Sequence, residues 1–327
     1  ALRQLIDQSE KVFIMGHKNP DMDSFGASIG IMRAVKSRNK KAYLVLDEPN
    51  PSIRNIYNRM EEEEADCLDI IISGEKAIEM ADKNSLLVVV DNHKPSFTEE
   101  PKLLELIDKV VVIDHHRRGA EFIEEPVLIY LEPYASSTCE LVTEILYYMS
   151  DKMETTKFEA DALLAGITVD TKNFTFQTGV RTFEAASILK RAGADTTSVS
   201  QLFRDDHSTF LNKAEVVRSS KIVFGKIAIG RLEKDMEDSV LIAAQAANEL
   251  LNINGIEASF VLTLSEKRVH ISGRSLGNIS VQLILEKLNG GGHLTSAGTQ
   301  LEGISLDDAE KMLINAIDEY FVEGEIE

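Results

Sequence analysis

Cysteine is scarce in this chain: Cys67 and Cys139 stand far apart in 327 residues, with no metal-type spacing. That excludes a disulfide framework and a thiolate zinc motif, suits a reducing compartment and leaves both as packing residues. Basic residues are outnumbered, 35 Lys and Arg against 54 Asp and Glu, for a net charge of −19. A protein that tracks long nucleic acid shows a basic face, whereas this charge repels a long polyanion over most of the surface. A short anionic substrate held by metal ions and a few local cations stays compatible with it. No apolar run approaches the ~20 residues that cross a bilayer. No signal peptide, internal repeat or low-complexity segment is visible. With 43% hydrophobic and 27% charged residues the composition is globular, and the length allows two domains with a core each. The chain starts at Ala1 rather than Met, close to its first strand, so a piece of a longer protein is expected.

What the chain does have is a series of Val, Ile and Leu runs, at 12–15, 42–46, 86–90 and 110–113. Between them lie helical periodicity at 25–35 and a polar helix near 52–60 that leads into the solvated acidic run Glu61 to Glu64. Unbroken apolar strands separated by helices predict a mainly parallel sheet covered on both faces. Helices are expected at 136–149, 158–169 and 181–191, the last stopped by Gly193. From Lys221 the pattern changes. Hairpin or meander strands at 222–232 and 258–271, with helices at 238–251, 281–288 and 306–320, predict a second domain. The expected fold class is therefore α/β: a mainly parallel N-terminal domain over 1–194, a helical connector over 195–220, and a smaller α/β domain over 221–327.

The apolar runs end in chemistry. Gly16 closes the first, and His17, Asp21 and Asp23 follow on a tight loop broken by Asn19-Pro20, before helical periodicity begins near Ser24. The run at 86–90 ends in Asp91, that at 110–113 in Asp114-His115-His116, and the helix at 158–169 in Asp170. Open α/β sheets collect ligands at the carboxyl ends of their strands, and helix N-termini attract phosphate. Singly, each residue has a structural reading. Asp21 caps a helix, Asp91 with Asn92 caps a turn, Asp114 holds a histidine tautomer and Asp170 simply ends its helix. Together, Asp21, Asp23, Asp91, Asp170, His17 and His115 at one sheet edge would repel one another without cations. Two divalent ions sharing a bridging carboxylate remove that conflict. Oxygen-rich ligation with a minority of imidazole suits two Mn²⁺ and admits Mg²⁺, Fe²⁺ or Co²⁺.

Asn19-Pro20-Asp21-Met22-Asp23, Asp114-His115-His116 and Asp170, in that order, resemble the motifs of the DHH phosphoesterases. Gly273-Arg274-Ser275 and Gly290-Gly291-Gly292-His293 resemble the glycine-rich signature of the associated DHHA1 domain. The resemblance spans nearly the whole chain, and the wording around His17 is most like the catalytic portion of GdpP-type cyclic-di-AMP phosphodiesterases. It implies His17, Asp21 and Asp91 on one manganese, with Asp23, Asp91, His115 and Asp170 on the other. It implies His116 near the scissile phosphate, with Asp114 orienting a neighbouring imidazole. Arg274, Asn278, Gly290, Gly291, Gly292 and His293 are implied in substrate binding, with Arg274 also meeting charge on the phosphoryl oxygens. Ser136 and Ser137 read better as helix caps, and Arg117 and Arg118 as either phosphate contacts or surface charge. The implied activity is metal-dependent hydrolysis of cyclic-di-AMP to 5′-pApA. The alternatives are a nanoRNase or pAp phosphatase on short oligoribonucleotides, a family II pyrophosphatase, and a nucleotide-sensing module without catalysis. Expected partners are a small nucleotide and a second copy in a homodimer, with no long nucleic acid. The chain itself lacks a membrane segment, and the resemblance implies a parent protein anchored in the bacterial membrane with this portion facing the cytoplasm.

Overall fold

The structure is a computed structural model describing residues 1–149, 155–233, 236 and 238–324, with the side chains of 65–67 and 323–324 also left aside. The side chain of Cys67 thus lies outside the described residues. The chain divides into two compact units, Ala1–Arg204 and Asp205–Glu327. The division falls inside the stretch expected as a connector. Among the described residues, no helix is long and apolar enough to cross a membrane.

In the first unit the elements run α1 (Leu2–Gln8), β1 (Lys11–Met15), α2 (Met22–Lys36), β2 (Lys41–Val45), α3 (Arg54–Glu63), β3 (Ile71–Ile72), α4 (Gly74–Met80) and β4 (Ser85–Val90). They continue with α5 (Leu103–Leu106), β5 (Val110–Asp114), β6 (Leu128–Leu131), α6 (Thr138–Met149), α7 (Lys157–Asp170), α8 (Val180–Arg191) and α9 (Thr196–Leu202). All six strands are parallel, in the order β3-β2-β1-β4-β5-β6. β3 and β6 are not among the strands singled out in the sequence, although both are apolar; β3 is only two residues long, and β6 is only partly buried. Apart from one polar residue at an end (Lys11, Ser85 and Asp114), the central strands β1, β4 and β5 are apolar because both faces are covered. Val12, Ile14, Leu86, Val88, Val111 and Ile113 pack in a core with α2, α6 and α7. Their neighbours Phe13, Met15, Leu87, Val89 and Val112 pack on the opposite face with Ala77 and Leu103.

The helical layer is tight at one line of contact. A Cβ on Gly26 of α2 would lie 2.5 Å from the Ala162 carbonyl oxygen of α7. One on Gly166 of α7 would lie 2.9 Å from Cα of Asp23 and 2.4 Å from Sγ of Cys139. Absent side chains at these two positions let α7 approach α2 backbone to backbone.

The second unit comprises α10 (His207–Ser219), β7 (Lys221–Val223), β8 (Ile227–Leu232), α11 (Ser239–Leu250), β9 (Ala258–Ser265) and β10 (Arg268–Ser275). After these come α12 (Val281–Glu286), β11 (Gly291–His293), β12 (Ser296–Glu302) and α13 (Leu306–Gly324). The sheet order is β11-β12-β10-β9-β8-β7. The meander reading needs one correction. β8 and β9 are parallel, joined over the sheet by α11, whereas the other pairs are antiparallel. A parallel pair cannot be closed by a tight turn, so α11 makes the crossover. α12 and α13 cover one face, with Ile284, Leu285, Leu313 and Ile317 on Phe260, Leu262 and Ile271. α11 covers β8 and β9 on the other face through Ala243, Ala246, Ala247 and Leu250.

Candidate metal centre

The strand order of the first unit reverses between β1 and β4, and an open α/β sheet leaves a crevice at the carboxyl ends of such strands. His17 follows β1 and Asp91 follows β4. The turn after β1 is shorter than the sequence suggests, because α2 starts at Met22 and Asp21 is its N-cap. Asp21 Oδ1 accepts the backbone N–H groups of Asp23 and Ser24, each at 3.0 Å. Asp21 thus does cap a helix, while its carboxylate still faces His17. Asp23 lies in the first turn of α2 rather than on the loop, fully buried. Its two oxygens accept N–H from Thr138 at 2.6 Å and Cys139 at 2.8 Å, so it sits on the N-terminus of α6, where a negative charge is favoured. Cys139 is buried, its thiol pKa pushed up by burial, and its Sγ meets the Asp23 carbonyl at 3.3 Å.

Asp91 is the residue on which these elements converge. Its φ of 57° is left-handed, a region that Asn and Asp enter more readily than other side chains. Each oxygen of its buried carboxylate faces a different histidine. Oδ2 lies 3.6 Å from His17 Nε2, and Oδ1 lies 3.6 Å from His115 Nε2 and 3.0 Å from the Thr138 hydroxyl that donates to it. His17 Nε2 is also 3.8 Å from Asp21 Oδ1. His115 Nε2 is 3.2 Å from Asp170 Oδ2 and 4.0 Å from Asp23 Oδ2. Two groups result, His17 with Asp21 and Asp91, and Asp23 with His115 and Asp170. A third, Asp91 with His115 and His116, links them, and in each group the ligand atoms lie within 4.8 Å of one another.

The donor set fits divalent cations. The His17 ring stacks on Phe97 at 5.4 Å, and its Nδ1 lies 3.1 Å from the Lys18 carbonyl oxygen. Donation there leaves the Nε2 lone pair facing the carboxylates. His115 Nε2 is buried without a hydrogen bond of acceptable geometry, an orphaned donor atom amid three carboxylates. Charges record the same crowding. Burial, then the charge of Asp23, raises the pKa of Asp91 well above the usual carboxylate range and that of Asp170 to about 7. Burial opposes protonation of the two imidazoles, yet the carboxylates outweigh it. Asp21 and Asp91 push His17 up to about 11, and Asp170, Asp23 and Asp91 push His115 up to about 10. Protons on these histidines occupy the places that cations would fill.

His116 is half-exposed. Its Nδ1 is 2.8 Å from Asp114 Oδ1 and 3.7 Å from Asp91 Oδ1. Burial works against ionisation of Asp114, but His116 and then His93 outweigh it and hold its pKa far below the usual range. His93, which the sequence reading passed over, is buried with Nδ1 2.5 Å from Asp114 Oδ2. The signal was present in the run Asp91-Asn92-His93, but only the pairing of β4 with β5 shows what the histidine faces. Thr138 was likewise missed. Ser137 accepts the Glu140 N–H, and Ser136 donates to the Glu140 carboxylate at 2.6 Å. Arg117 and Arg118 are exposed, with Arg118 3.7 Å over the Phe122 ring.

In the second unit the glycine stretch is not a loop, since Gly291–His293 form the edge strand β11 paired with β12. A Cβ on Gly290 would meet the Gly298 carbonyl oxygen at 2.5 Å, and one on Gly292 would meet the Ser296 oxygen at 2.4 Å. Those two glycines serve backbone packing, whereas Gly291 faces open space. Arg274, Ser272 and His270 alternate along β10 on one face, opposite Ser296, Gly298 and Gln300 of β12. Arg274 is half-buried and donates to the Gly273 carbonyl at 2.8 Å. Burial lowers its pKa, and among the described residues no carboxylate pairs with it. A cleft of ≈ 450 Å³ on this face is lined by His270, Ser272, Gly290, Gly291, Gly298 and Gln300. Of the expected binding set it takes in Gly290 and Gly291. Arg274, Gly292 and His293 are not among its lining, and Asn278 is exposed in the turn after β10.

A model of the DHH family, N-terminal domain, matches residues 11–167, and a DHHA1 domain model matches residues 224–323. The chain is 48% identical over 324 residues to the cyclic-di-AMP phosphodiesterase PdeA of Listeria monocytogenes, covering 98% of this chain and 49% of that protein. It is 48% identical over 328 residues to the cyclic-di-AMP phosphodiesterase GdpP of Geobacillus thermodenitrificans, covering 99% and 50%. The chain therefore spans about half the length of the curated relatives it matches. Among solved structures, an exopolyphosphatase-related protein from Bacteroides fragilis shares the fold, with a TM-score of 0.83 at 21% identity over 98% of this chain and 95% of that one.

Proposed function

The chain belongs to the DHH family and carries a DHHA1 domain behind its DHH domain, and from that premise we propose that it hydrolyses cyclic-di-AMP to 5′-pApA at a two-metal centre. The observation that carries the reading is the placement of Asp91 between two ligand groups, with one carboxylate oxygen toward each. His17, Asp21 and Asp91 would hold one cation, and Asp23, Asp91, His115 and Asp170 the other. Mn²⁺ matches the donor set best, with Mg²⁺, Fe²⁺ and Co²⁺ as substitutes. Such a pair of ions, when bound, lowers the pKa of water and neutralises phosphoryl oxygens.

The remaining work falls to the protein's own groups. Asp114 accepts from His116 Nδ1 and, against the effect of burial, raises the pKa of the ring, so that the protonated imidazole has its Nε2–H left to donate to a phosphoryl oxygen. Arg274, with no competing carboxylate among the described residues, offers a fork for phosphate. The open floor at Gly291 and Gly298 admits a flat base close to the backbone. Water adds to phosphorus, the bond from phosphorus to the ribose 3′-oxygen breaks, and that oxygen leaves with a proton as the 3′-hydroxyl. The product keeps a 5′-phosphate. The carboxylates hold cations, so none is assigned as a separate general base. A homodimer, and anchoring of the longer protein in the membrane with this portion facing the cytoplasm, belong to the same reading and rest on resemblance. The test is product analysis with cyclic-di-AMP, cyclic-di-GMP, pApA and pyrophosphate side by side under Mn²⁺. Preferential conversion of cyclic-di-AMP to pApA is expected, and faster turnover of pApA or pyrophosphate would overturn the assignment.

A further inference from the structure

His93 is buried next to the metal-ligand groups, yet it belongs to none of them. It follows β4 by three residues and shares its loop with Asp91. The pairing of Val90 with Ile113 brings that loop against the end of β5, where Asp114 stands. The Gly119 N–H donates to His93 Nε2 at 3.2 Å. A backbone amide can only donate, so Nε2 is the acceptor and the ring proton sits on Nδ1. Nδ1–H then points at Asp114 Oδ2 at 2.5 Å. Asp114 Oδ1 accepts the N–H of His116 at 3.1 Å and its ring Nδ1 at 2.8 Å. The fully buried carboxylate is therefore held from both sides, by His93 on one oxygen and His116 on the other. The His93 carbonyl also accepts the Ile123 N–H at 2.8 Å, so one residue ties the β4 loop to both ends of the segment 119–123.

We propose that His93 is a positioning residue, which clamps Asp114 so that His116 presents Nε2 to the phosphate; this rests on the phosphodiesterase reading above. A histidine that only filled space would need one hydrogen-bond partner for its polar edge. This one has a committed acceptor nitrogen and a committed donor nitrogen, and the donor ends on the carboxylate that orients the exposed imidazole. Without it, Asp114 Oδ2 loses its partner in a dry site, and the carboxylate is free to turn about its Cβ–Cγ bond. His116 turns with it.

The experiment uses the full chain loaded with Mn²⁺, and compares His93→Phe, His93→Asn, His116→Ala and the His93→Phe/His116→Ala double variant. Initial rates on cyclic-di-AMP and bound manganese per chain are measured for each, and low-field imidazole N–H signals in proton NMR are recorded on the same variants loaded with diamagnetic Mg²⁺ instead. His93→Phe is expected to lower kcat about 10–100-fold, the usual effect of removing a partner of a site residue, with KM and manganese content nearly unchanged. His93→Asn, whose amide N–H stands where Nδ1–H stood, should recover much of the loss. On the His116→Ala background, His93→Phe should cost no more than about twofold, within the scatter of additive changes. A full-sized loss on that background, or a loss that tracks manganese content, would overturn the proposal. If His93→Phe fails to fold, His93→Asn against His93→Gln makes the same comparison, since Gln places its amide at Nε2 instead; equal rates would then overturn it. Should the parent protein not cleave cyclic-di-AMP at all, the phosphodiesterase reading fails. The NMR arm still decides the linkage: His93→Phe must shift the His116 N–H signal and His93→Asn must return it toward the parent position, and an unmoved signal in His93→Phe refutes the clamp.

Discussion

Replacing Asp91 by Asn separates the charge of that side chain from its shape. Asn tolerates the left-handed φ of 57° that Asp91 adopts, and its carbonyl can still accept the Thr138 hydroxyl. In the metal-free protein, burial and the charge of Asp23 raise the pKa of Asp91 and so penalise its charge, and a neutral amide relieves that penalty. Asp91→Asn should therefore match or exceed the parent in metal-free thermal stability. Asp91→Ala, forced to a positive φ, should lose about 1–2 kcal/mol. With Mn²⁺ the order changes. An ion present at a hundred times its Kd stabilises the native state by about 2.7 kcal/mol. For a unit of this size that raises Tm by about 5–10 °C. Asp91→Asn should lose most of that shift, because it removes a ligand shared by both ions, and Ser136→Ala should keep it. Thermal unfolding with and without MnCl₂, paired with metal analysis, reads both effects. A full Mn²⁺ shift and full metal content in Asp91→Asn would refute the shared-ligand reasoning.

Four further outcomes follow from other parts of the molecule. Chelated protein should be inactive and recover with Mn²⁺; because His17 and His115 keep their protons up to about 11 and about 10, binding must expel protons. Apparent Mn²⁺ affinity should accordingly rise from about pH 6 to about pH 9, and a flat profile in a proton-release titration would contradict the ligand assignment. In the metal-free protein the sign is opposite for Asp170: its folded pKa of about 7 exceeds the unfolded value, so the native state binds more protons and stability should fall as pH rises through about 4 to 7. Gly166→Ala places a methyl against Cys139 Sγ and Asp23, and should cost about 1–3 kcal/mol while lowering manganese content; unchanged unfolding would mean α7 yields more easily than its packing implies. Arg274→Ala and His293→Ala should raise KM for cyclic-di-AMP and leave manganese bound, with a small generic phosphodiester cleaved nearly as well by His293→Ala as by the parent; an emptied metal site would rule out the recognition role.

By itself the sequence determined the alternation of buried strands and helices, since a strand covered on both faces must be apolar at every position and such runs are visible in a linear string. It also determined which residues are candidates for the metals. His17, Asp21, Asp91 and the pair at 115–116 fall directly after those runs, and strand ends are where a parallel sheet gathers them. Only the tertiary structure decided the rest. The supports of the site come from far along the chain: Thr138 lies 115 residues from Asp23 and 47 from Asp91, and His93 reaches Asp114 only because β4 and β5 pair. Glycines showed the same limit. Gly290 to Gly292 look alike in the sequence, yet two are needed for backbone approach and one is open, a distinction set by what lies opposite each Cα. Hydrophobic periodicity encodes burial one residue at a time, whereas a hydrogen bond or a close approach needs two positions at once, and those pairs exist only after the strands have chosen their neighbours.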